Sequence, residues 1–215
     1  MKTVCFKHAD KKGPLLEGCL HLPEGAGPFP GAMVCHPHPQ FGGSMDVTLV
    51  VALAEGLAEA GWAALRFNFR GVGASEGRYD EGVGEVEDVE AALAHMAAQS
   101  FVAGKGLALV GYSFGAWVGL EAAQRSERVA AVAAIGLPMW RMPDDWLSGF
   151  NRPKLFVAGE RDMVCPVKEL REFVAKLPGL TEVTILTRTD HYLAGREPQA
   201  VQEVIRFLRA HKEAS

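Results

Sequence analysis

The chain has 215 residues, and 22 Lys and Arg against 26 Asp and Glu give it a formal net charge of -4 at pH 7. This length suits a single domain, residues 1–215, with a sizeable core. The negative charge removes any electrostatic case for nucleic acid or an acidic membrane as the main partner, so we expect a small-molecule substrate.

Hydrophobic stretches and cysteines indicate the compartment in which the protein works. Lys, Arg, Asp or Glu interrupts every hydrophobic stretch before it reaches the length of a membrane span. The four cysteines form no Cys-x-x-Cys pair, and the first ten residues carry charges where a signal peptide needs a continuous apolar core. We therefore expect a soluble, cytoplasmic protein. The sequence does not predict its oligomeric state.

The first half of the chain predicts an antiparallel hairpin followed by a βαβ unit. Two short strands are joined by a polar turn at 10–14, which is a hairpin signal. Two later apolar runs, separated by a helix, have the pattern of strands buried on both faces. Ser44 or Asp46 is the predicted cap of that helix. The predicted strands are residues 3–8, 15–22, 31–35 and 62–69, and the predicted helix is 47–60.

The second half alternates helices and strands regularly, which indicates a mostly parallel sheet covered by helices on both faces. Pro166 and Pro198 stand at the predicted first positions of two helices. The connection 136–152 is predicted to be a structured loop. The predicted helices are residues 85–98, 116–124, 166–177 and the segment from 198 onward, and the predicted strands are 106–110, 129–135, 154–159 and 182–186.

Three segments raise the question of a phosphate or metal site. The glycine-rich loop 68–77 does not lead directly into a helix and lacks the lysine of a P-loop, so we predict no phosphate site there. We interpret the acidic cluster at the start of helix 85–98 as a solvated helix start, although a metal site is the alternative. His36-x-His38 is a minor second candidate for a metal site. We expect neither a metal nor a cofactor. The acidic cluster consists of Glu85, Glu87, Asp88 and Glu90.

The segment Gly111-Tyr112-Ser113-Phe114-Gly115 lies between a predicted strand and a predicted helix. A Gly-x-Ser-x-Gly turn in this context is typical of a nucleophile elbow, which holds a serine in strained geometry above the sheet edge. Strand and helix backbones approach so closely there that a Cβ at either glycine would clash. The alternative is a glycine-rich turn with an exposed serine.

A serine nucleophile requires a histidine base and an acid that orients the histidine. His191 follows a predicted strand end near the last helix, whereas packing or chain position accounts for His8, His21, His95 and His211. Asp162, directly past another strand end, is the predicted acid. Adjacent residues on an extended segment point apart, so Asp190 is less suitable. Asp144, Asp145 and Glu160 are minor candidates.

The assembled motifs resemble those of the α/β-hydrolase superfamily, and most closely its small lidless members related to dienelactone hydrolases and carboxylesterases. The resemblance implies an eight-stranded, mostly parallel sheet with Ser113 as nucleophile, His191 as base and Asp162 as orienting acid. Dienelactone hydrolases proper have cysteine at the elbow, so their substrate is not carried over to this chain. The motifs are His36-Pro37-His38-Pro39, Asn68-Phe69-Arg70-Gly71-Val72-Gly73, the elbow, Gly159-Glu160-Arg161-Asp162 and Asp190-His191.

The fold also predicts where a tetrahedral oxyanion is held. One donor is the NH of Phe114, and the other lies in the loop beginning at His36. Proline has no NH, so His36, His38 or Gln40 remains, and we choose the backbone of His38 with Gln40 as the open alternative. The imidazole of His38 is expected to be incidental. The other interpretation is that the prolines only stiffen a loop with solvated histidines.

We therefore predict a serine hydrolase that cleaves a small ester or related acyl compound through an acyl-enzyme. A peptidase, an acyltransferase or a C–C hydrolase would use the same residues. A non-catalytic ligand-binding module of the same fold is the alternative from another class. The connection 136–152 is too short for a helical lid. The predicted substrate-pocket residues are Arg70, Trp140, Trp146 and Tyr192.

Overall fold

The computed structural model describes residues 1–7, 13–143 and 145–211, and an eight-stranded sheet runs through them. The strands are β1 (Lys2–Phe6), β2 (Leu16–His21), β3 (Phe29–Cys35), β4 (Ala63–Phe67), β5 (Val102–Tyr112), β6 (Val129–Ile135), β7 (Lys154–Gly159) and β8 (Thr181–Leu186). The helices are α1 (Thr48–Glu59), α2 (Val83–Ala97), α3 (Phe114–Arg125), α4 (Val167–Val174) and α5 (Glu197–Ala210). Short 3-10 turns at Pro39–Phe41 and Met139–Arg141 complete the described elements.

The sheet order is β1-β2-β4-β3-β5-β6-β7-β8. β1 pairs with β2, and β2 with β4, in antiparallel fashion, whereas all pairs from β4 to β8 are parallel. The predicted antiparallel entry and mostly parallel eight-stranded sheet are confirmed. His8 and residues 10–12 of the predicted turn 10–14 lie outside the described residues.

Helices cover both faces of the sheet and form two apolar layers with it. α2, α3 and α4 pack on one face, and α1 and α5 pack on the other. Every residue of β4 and β7 is buried, as the position of these strands between two helical layers requires. Even Lys154 of β7 is buried, and its ammonium donates to the carbonyls of Phe150, Arg152 and Pro178.

The starts of two helices differ from the sequence prediction. α1 begins after Val47, which provides no side-chain cap. Ser44 Oγ instead accepts the NH of Asp46, and the Asp46 carboxylate binds the Arg66 guanidinium, so neither predicted cap is free to serve. Pro166 precedes the first turn of α4 rather than occupying it.

The end of α4 also differs from the prediction. The helix ends at Val174, and residues 175–177 finish in tighter turns, with the NH of Leu177 donating to the carbonyl of Val174. Pro178 restricts the residue before it and offers no NH of its own, which accounts for the early end. No helix within the described ranges has both the length and the apolarity needed to cross a bilayer.

The parallel strands bring several loops to one edge of the sheet. The carboxyl ends of β3, β5, β7 and β8 all meet there, because parallel strands share their direction. The residues that follow these strand ends include His36, Ser113, Asp162 and His191. The fold therefore collects the chemically important residues above one side of the sheet.

Candidate active site

Ser113 occupies a strained turn between β5 and α3. Its backbone has φ 55° and ψ -117°, a conformation that residues other than glycine rarely adopt. A Cβ at Gly111 would lie 2.3 Å from the carbonyl oxygen of Gly115, and a Cβ at Gly115 would lie 2.4 Å from that of Cys35. The predicted steric need for both glycines is confirmed. The Ser113 NH donates to the carbonyl of Ile135 over 2.8 Å, which ties the turn to the end of the neighbouring strand β6.

A continuous chain of hydrogen bonds joins Ser113, His191 and Asp162. The Ser113 Oγ lies 2.9 Å from His191 Nε2, and His191 Nδ1 lies 2.9 Å from Asp162 Oδ2 and 3.1 Å from Oδ1. A carboxylate only accepts, so Nδ1 carries the hydrogen and Nε2 accepts from the serine hydroxyl. The structure thus brings together the three residues that the sequence singled out.

Asp162 is buried beneath His191, and three donors hold its carboxylate. The Val164 and Cys165 NH groups each donate to Oδ1 over 2.8 Å, and His191 donates to Oδ2. Burial alone would raise the pKa of this carboxyl, but the hydrogen bonds from His191 and from the two backbone NH groups outweigh it and lower the pKa. Asp162 therefore stays ionised at neutral pH.

The loop that carries His191 is held close to the neighbouring strands. The Tyr112 hydroxyl donates to the His191 carbonyl over 3.0 Å. A Cβ at Gly136 would lie 2.9 Å from His191 Cε1, and one at Gly159 would lie 2.5 Å from the Asp190 carbonyl oxygen. These close approaches fix the imidazole between the ends of β5, β6 and β7.

The other predicted acids lie away from His191. Asp190 is exposed and accepts the NH of Tyr192, two residues along its own loop. Glu160 is exposed and accepts the NH of Arg188, and Asp145 is exposed as well. Asp144 lies outside the described residues. Among the described candidates, Asp162 is therefore the acid that reaches the imidazole.

His36 is buried, and both of its ring nitrogens are engaged. Nε2 accepts the NH of Phe69 over 3.1 Å, so Nδ1 carries the hydrogen and donates to the Pro37 carbonyl over 2.6 Å. Neither nitrogen is left to bind a metal, and residues 1–7, 13–143 and 145–211 contain no cluster of three metal-ligating side chains. The ring instead ties the loop after β3 to the loop after β4.

Burial lowers the pKa of His36 to about 4, which predicts acid sensitivity. The unfolded chain binds a proton near pH 6.5 and the folded chain only near pH 4, so this group's contribution to stability is full above pH 6.5 and declines below it. Between pH 7 and pH 4.5 we expect His36 to account for a loss of roughly 2 to 3 kcal/mol in unfolding free energy. Urea titrations of wild type and His36→Gln measure this. An equal decline in both proteins would contradict the assignment.

His38 caps the turn at Pro39–Phe41 through its side chain. Nδ1 accepts the NH of Gln40 over 3.2 Å, so Nε2 carries the hydrogen and donates to the Tyr79 hydroxyl over 3.1 Å. The imidazole also lies 4.9 Å, centre to centre, from the Phe114 ring. The side chain therefore fixes the loop against the residue that follows Ser113. That the imidazole is incidental to holding the oxyanion stays a prediction.

A cavity of about 400 Å³ opens beside Ser113 and His191. His38 and Phe114 contribute to its wall, as do Trp140 and Tyr192, two of the four predicted pocket residues. Phe41, Trp140 and Tyr192 are 85%, 71% and 74% exposed, so aromatic side chains stand around an open mouth. The described part of the β6–β7 connection contains a 3-10 turn and irregular turns but no helical lid.

The prediction that Arg70 lines the pocket is wrong. Its guanidinium donates to both oxygens of Asp88 and to Glu87, which directs it away from the cavity wall. The interpretation of the acidic cluster as solvated holds for Glu87, which is exposed, but is wrong for Asp88 and Glu85. Asp88 is buried against Arg70, and Glu85 is buried with its carboxylate accepting the NH groups of Asp80 and Gly82.

The prediction that Trp146 lines the pocket is also wrong. Its indole NH donates to Glu121 of α3 over 2.9 Å, and its ring lies 6.4 Å from that of Phe173 in α4. Trp146 therefore anchors the β6–β7 connection to the helical layer. Trp140, six residues earlier in the same connection, faces the cavity.

Sequence reasoning missed Trp117 and Arg141, which both line the cavity. Trp117 lies one helical turn after Ser113 on α3, so its i+4 spacing from the elbow could have indicated that it borders the site. Arg141 follows Trp140 in a loop without periodicity. The sequence therefore does not indicate which way the Arg141 side chain points.

The strand order and the elbow serine define the architecture of an α/β hydrolase. A family model described as an alpha/beta hydrolase domain matches residues 33–213, and the chain belongs to this family. An uncharacterized protein of Rickettsia prowazekii (strain Madrid E) is 32% identical over 171 residues, which is 76% of this chain and 71% of that protein.

Two solved structures are similar along nearly the whole chain. One is an alpha-beta serine hydrolase homologue from Coxiella burnetii, with 32% identity over 95% of this chain and 96% of that chain and a TM-score of 0.84. The other is an α/β serine hydrolase without lid from Xanthomonas campestris, with 28% identity, coverage of 97% and 94%, and a TM-score of 0.84. Both structures share the fold of this chain.

Proposed function

We propose that the protein is a serine hydrolase that cleaves a small ester or related acyl compound through an acyl-enzyme intermediate. The observation that carries this proposal is the hydrogen-bond chain from Ser113 through His191 to Asp162 beside an open cavity. A serine hydroxyl is a poor nucleophile unless a base removes its proton, and this chain supplies the base and its orienting acid. The relatives from Coxiella and Xanthomonas add support for this class.

The acylation step follows from the hydrogen-bond directions. Ser113 Oγ attacks the substrate carbonyl carbon while its proton moves to His191 Nε2. The ionised Asp162 stabilises the imidazolium that forms. The imidazolium then donates this proton to the leaving alcohol, and the acyl group remains on Ser113.

The oxyanion is held by the backbone NH groups of Phe114 and His38. Phe114 is the first residue of α3, and the first NH groups of a helix have no partner within the helix. The NH of Gln40 is already donated to His38 Nδ1, which favours His38 over Gln40 as the second donor. The 4.9 Å contact between the His38 and Phe114 rings holds the two donor segments together.

Deacylation uses the same groups in the reverse direction. A water molecule enters through the open mouth, gives its proton to His191 Nε2 and attacks the acyl carbon. Collapse of the second tetrahedral intermediate releases the acid and restores the Ser113 hydroxyl. The exposure of the mouth residues favours hydrolysis over acyl transfer, because an acyltransferase must keep water away from the acyl-enzyme.

Substrate size should follow from the open cavity. Turnover of p-nitrophenyl esters should be highest for short acyl chains, because the described part of the β6–β7 connection forms no lid over a long one. Specificity constants measured from acetyl to dodecanoyl should therefore level off or fall after a few methylenes. Complete burial of each added methylene would instead raise kcat/KM about fourfold per group. Such a steady rise would show that another segment forms an apolar tunnel.

A further inference from the structure

Arg141 presents a guanidinium at the wall of the cavity. The residue is half-buried at the end of the 3-10 turn Met139–Arg141, in the connection that follows β6. Its Cζ lies 4.2 Å from the ring centre of Trp117 and 4.6 Å from that of Trp140. Both indoles line the same cavity. Contacts with two aromatic rings thus restrict the position of the guanidinium.

The N–H donors of this guanidinium have no acceptor among the residues that the structure describes. Arg66 in β4 and Arg70 in the loop after it are instead paired with Asp46 and Asp88. Arg152 donates to backbone carbonyls. A guanidinium whose face lies against aromatic rings retains its in-plane donors, and these match the two oxygens of a carboxylate.

The cavity wall carries positive charge in a chain whose net charge is negative. No Asp or Glu from the described ranges belongs to the wall. Burial first, and then the charge of Arg141, lower the pKa of His38 on the same wall, whereas the charge of Glu85, outside the wall, raises it. A cavity with a cation and no facing carboxylate favours an anionic ligand.

Arg141 and Ser113 line the same cavity, so one small molecule can contact both. Trp117 is four residues after Ser113 on α3, which corresponds to about 6 Å of helix rise. The NH of Trp117 donates to the Ser113 carbonyl over 3.2 Å. The Trp117 ring lies 5.6 Å from the Phe114 ring on one side and contacts Arg141 on the other. An apolar linker along Trp117 would join an ester at Ser113 to an anion at Arg141.

We propose that Arg141 binds a carboxylate of the substrate, so that the substrates are esters that carry a free carboxylate separated from the scissile bond by an apolar linker. This proposal rests on the proposed hydrolase function. In the proposed complex, Trp117 and Trp140 contact the apolar linker, and the edge of the Arg141 guanidinium binds the carboxylate.

Binding to a protein that cannot turn over tests the proposal without relying on catalysis. Calorimetric titration of Ser113→Ala compares monomethyl esters of C4 to C10 dicarboxylic acids with the corresponding dimethyl esters, which have the same linker but no charge. At the best linker length we expect the monoester to bind at least tenfold more tightly. Adding Arg141→Met should weaken monoester binding roughly ten- to a hundredfold, and Arg141→Lys should restore part of it.

Arg78→Met is the matched control in this titration. Arg78 is exposed and lies outside the cavity wall, so its replacement removes the same charge without touching the proposed contact. The monoester preference should be unchanged in Ser113→Ala with Arg78→Met. Equal binding of mono- and diesters at every length, or equal losses in the Arg141 and Arg78 variants, would overturn the proposal.

Turnover separates this proposal from the proposed function. In the protein with Ser113 intact, kcat/KM should favour the monoester over the diester, and Arg141→Met should reduce that ratio at least tenfold. A monoester preference in binding with no turnover of any ester would overturn the hydrolase function and leave the carboxylate site standing. Turnover of both esters at a ratio that Arg141→Met does not change would overturn the carboxylate site alone.

Discussion

Ser113→Ala should remove nearly all turnover of a short p-nitrophenyl ester while the protein stays folded. A nucleophile that acts as a unit with its base typically accounts for a factor on the order of a million in kcat. Alanine keeps the Cβ, so the strained backbone at φ 55° is retained and the elbow is not rearranged. The measurement compares kcat of both proteins, with circular dichroism and urea unfolding as checks on the fold.

Ser148→Ala is the matched control for this substitution. Ser148 is exposed in the connection between β6 and β7, and it does not line the cavity. Its replacement also removes one serine hydroxyl, but it should leave kcat within about twofold of wild type, as is usual for surface substitutions. A folded Ser113→Ala protein that retains even a tenth of the wild-type rate would disprove the mechanism.

Asp162→Asn should lower kcat roughly ten-thousandfold with little change in geometry. The NH groups of Val164 and Cys165 donate to Oδ1, so the amide oxygen of asparagine takes that position. The amide NH2 then stands where Oδ2 lay, 2.9 Å from His191 Nδ1, and donates to it. His191 must place its hydrogen on Nε2, and it can no longer accept the proton of Ser113.

Asp190→Asn separates this effect from a general loss of negative charge near His191. Asp190 is exposed, and its Oδ1 accepts the NH of Tyr192, which an asparagine oxygen can also accept. We expect kcat within about twofold of wild type. If Asp190→Asn were as damaging as Asp162→Asn, or if Asp162→Asn were nearly active, the assignment of Asp162 as the orienting acid would be wrong.

The sheet could be predicted closely because its strands are short apolar runs with clear limits. The predicted strands 129–135 and 154–159 have the same bounds as β6 and β7. Both strands are buried on both faces. β6 ends directly before Gly136, and β7 ends at Gly159. Helix limits were less predictable, because the side chains that could cap α1 have other partners. Asp46 binds Arg66, which comes from a distant strand, and local sequence does not contain that contact.

The central residues of the site could be predicted because strand ends restrict where they lie. Ser113, Asp162 and His191 each follow a strand whose carboxyl end reaches the same edge, and a sheet of parallel strands brings such ends together. Pocket residues on loops were less predictable. Arg70 and Arg141 both follow strand ends, yet Asp88 holds the first away from the cavity while two indoles hold the second against it.

The burial of Glu85 and Asp88, two of the four acidic residues near the start of α2, shows the same limit. Acidic residues in the first turn of a helix are usually solvated, and the sequence offered no contrary sign. Glu85 is nevertheless buried because it accepts two backbone NH groups of the preceding loop, and Asp88 is buried because it binds Arg70. Those partners come from a loop whose path is set by tertiary packing, which periodicity does not describe.

Labelling with a fluorophosphonate, followed by peptide mass spectrometry, tests the proposed nucleophile most directly. An activated serine attacks the phosphorus and keeps the adduct, whereas an ordinary exposed serine does not react. We expect one adduct per chain, located on Ser113, and none on the folded Ser113→Ala protein. Folded wild-type protein that takes up no label, or that carries the label on another residue, would contradict the proposed serine hydrolase function.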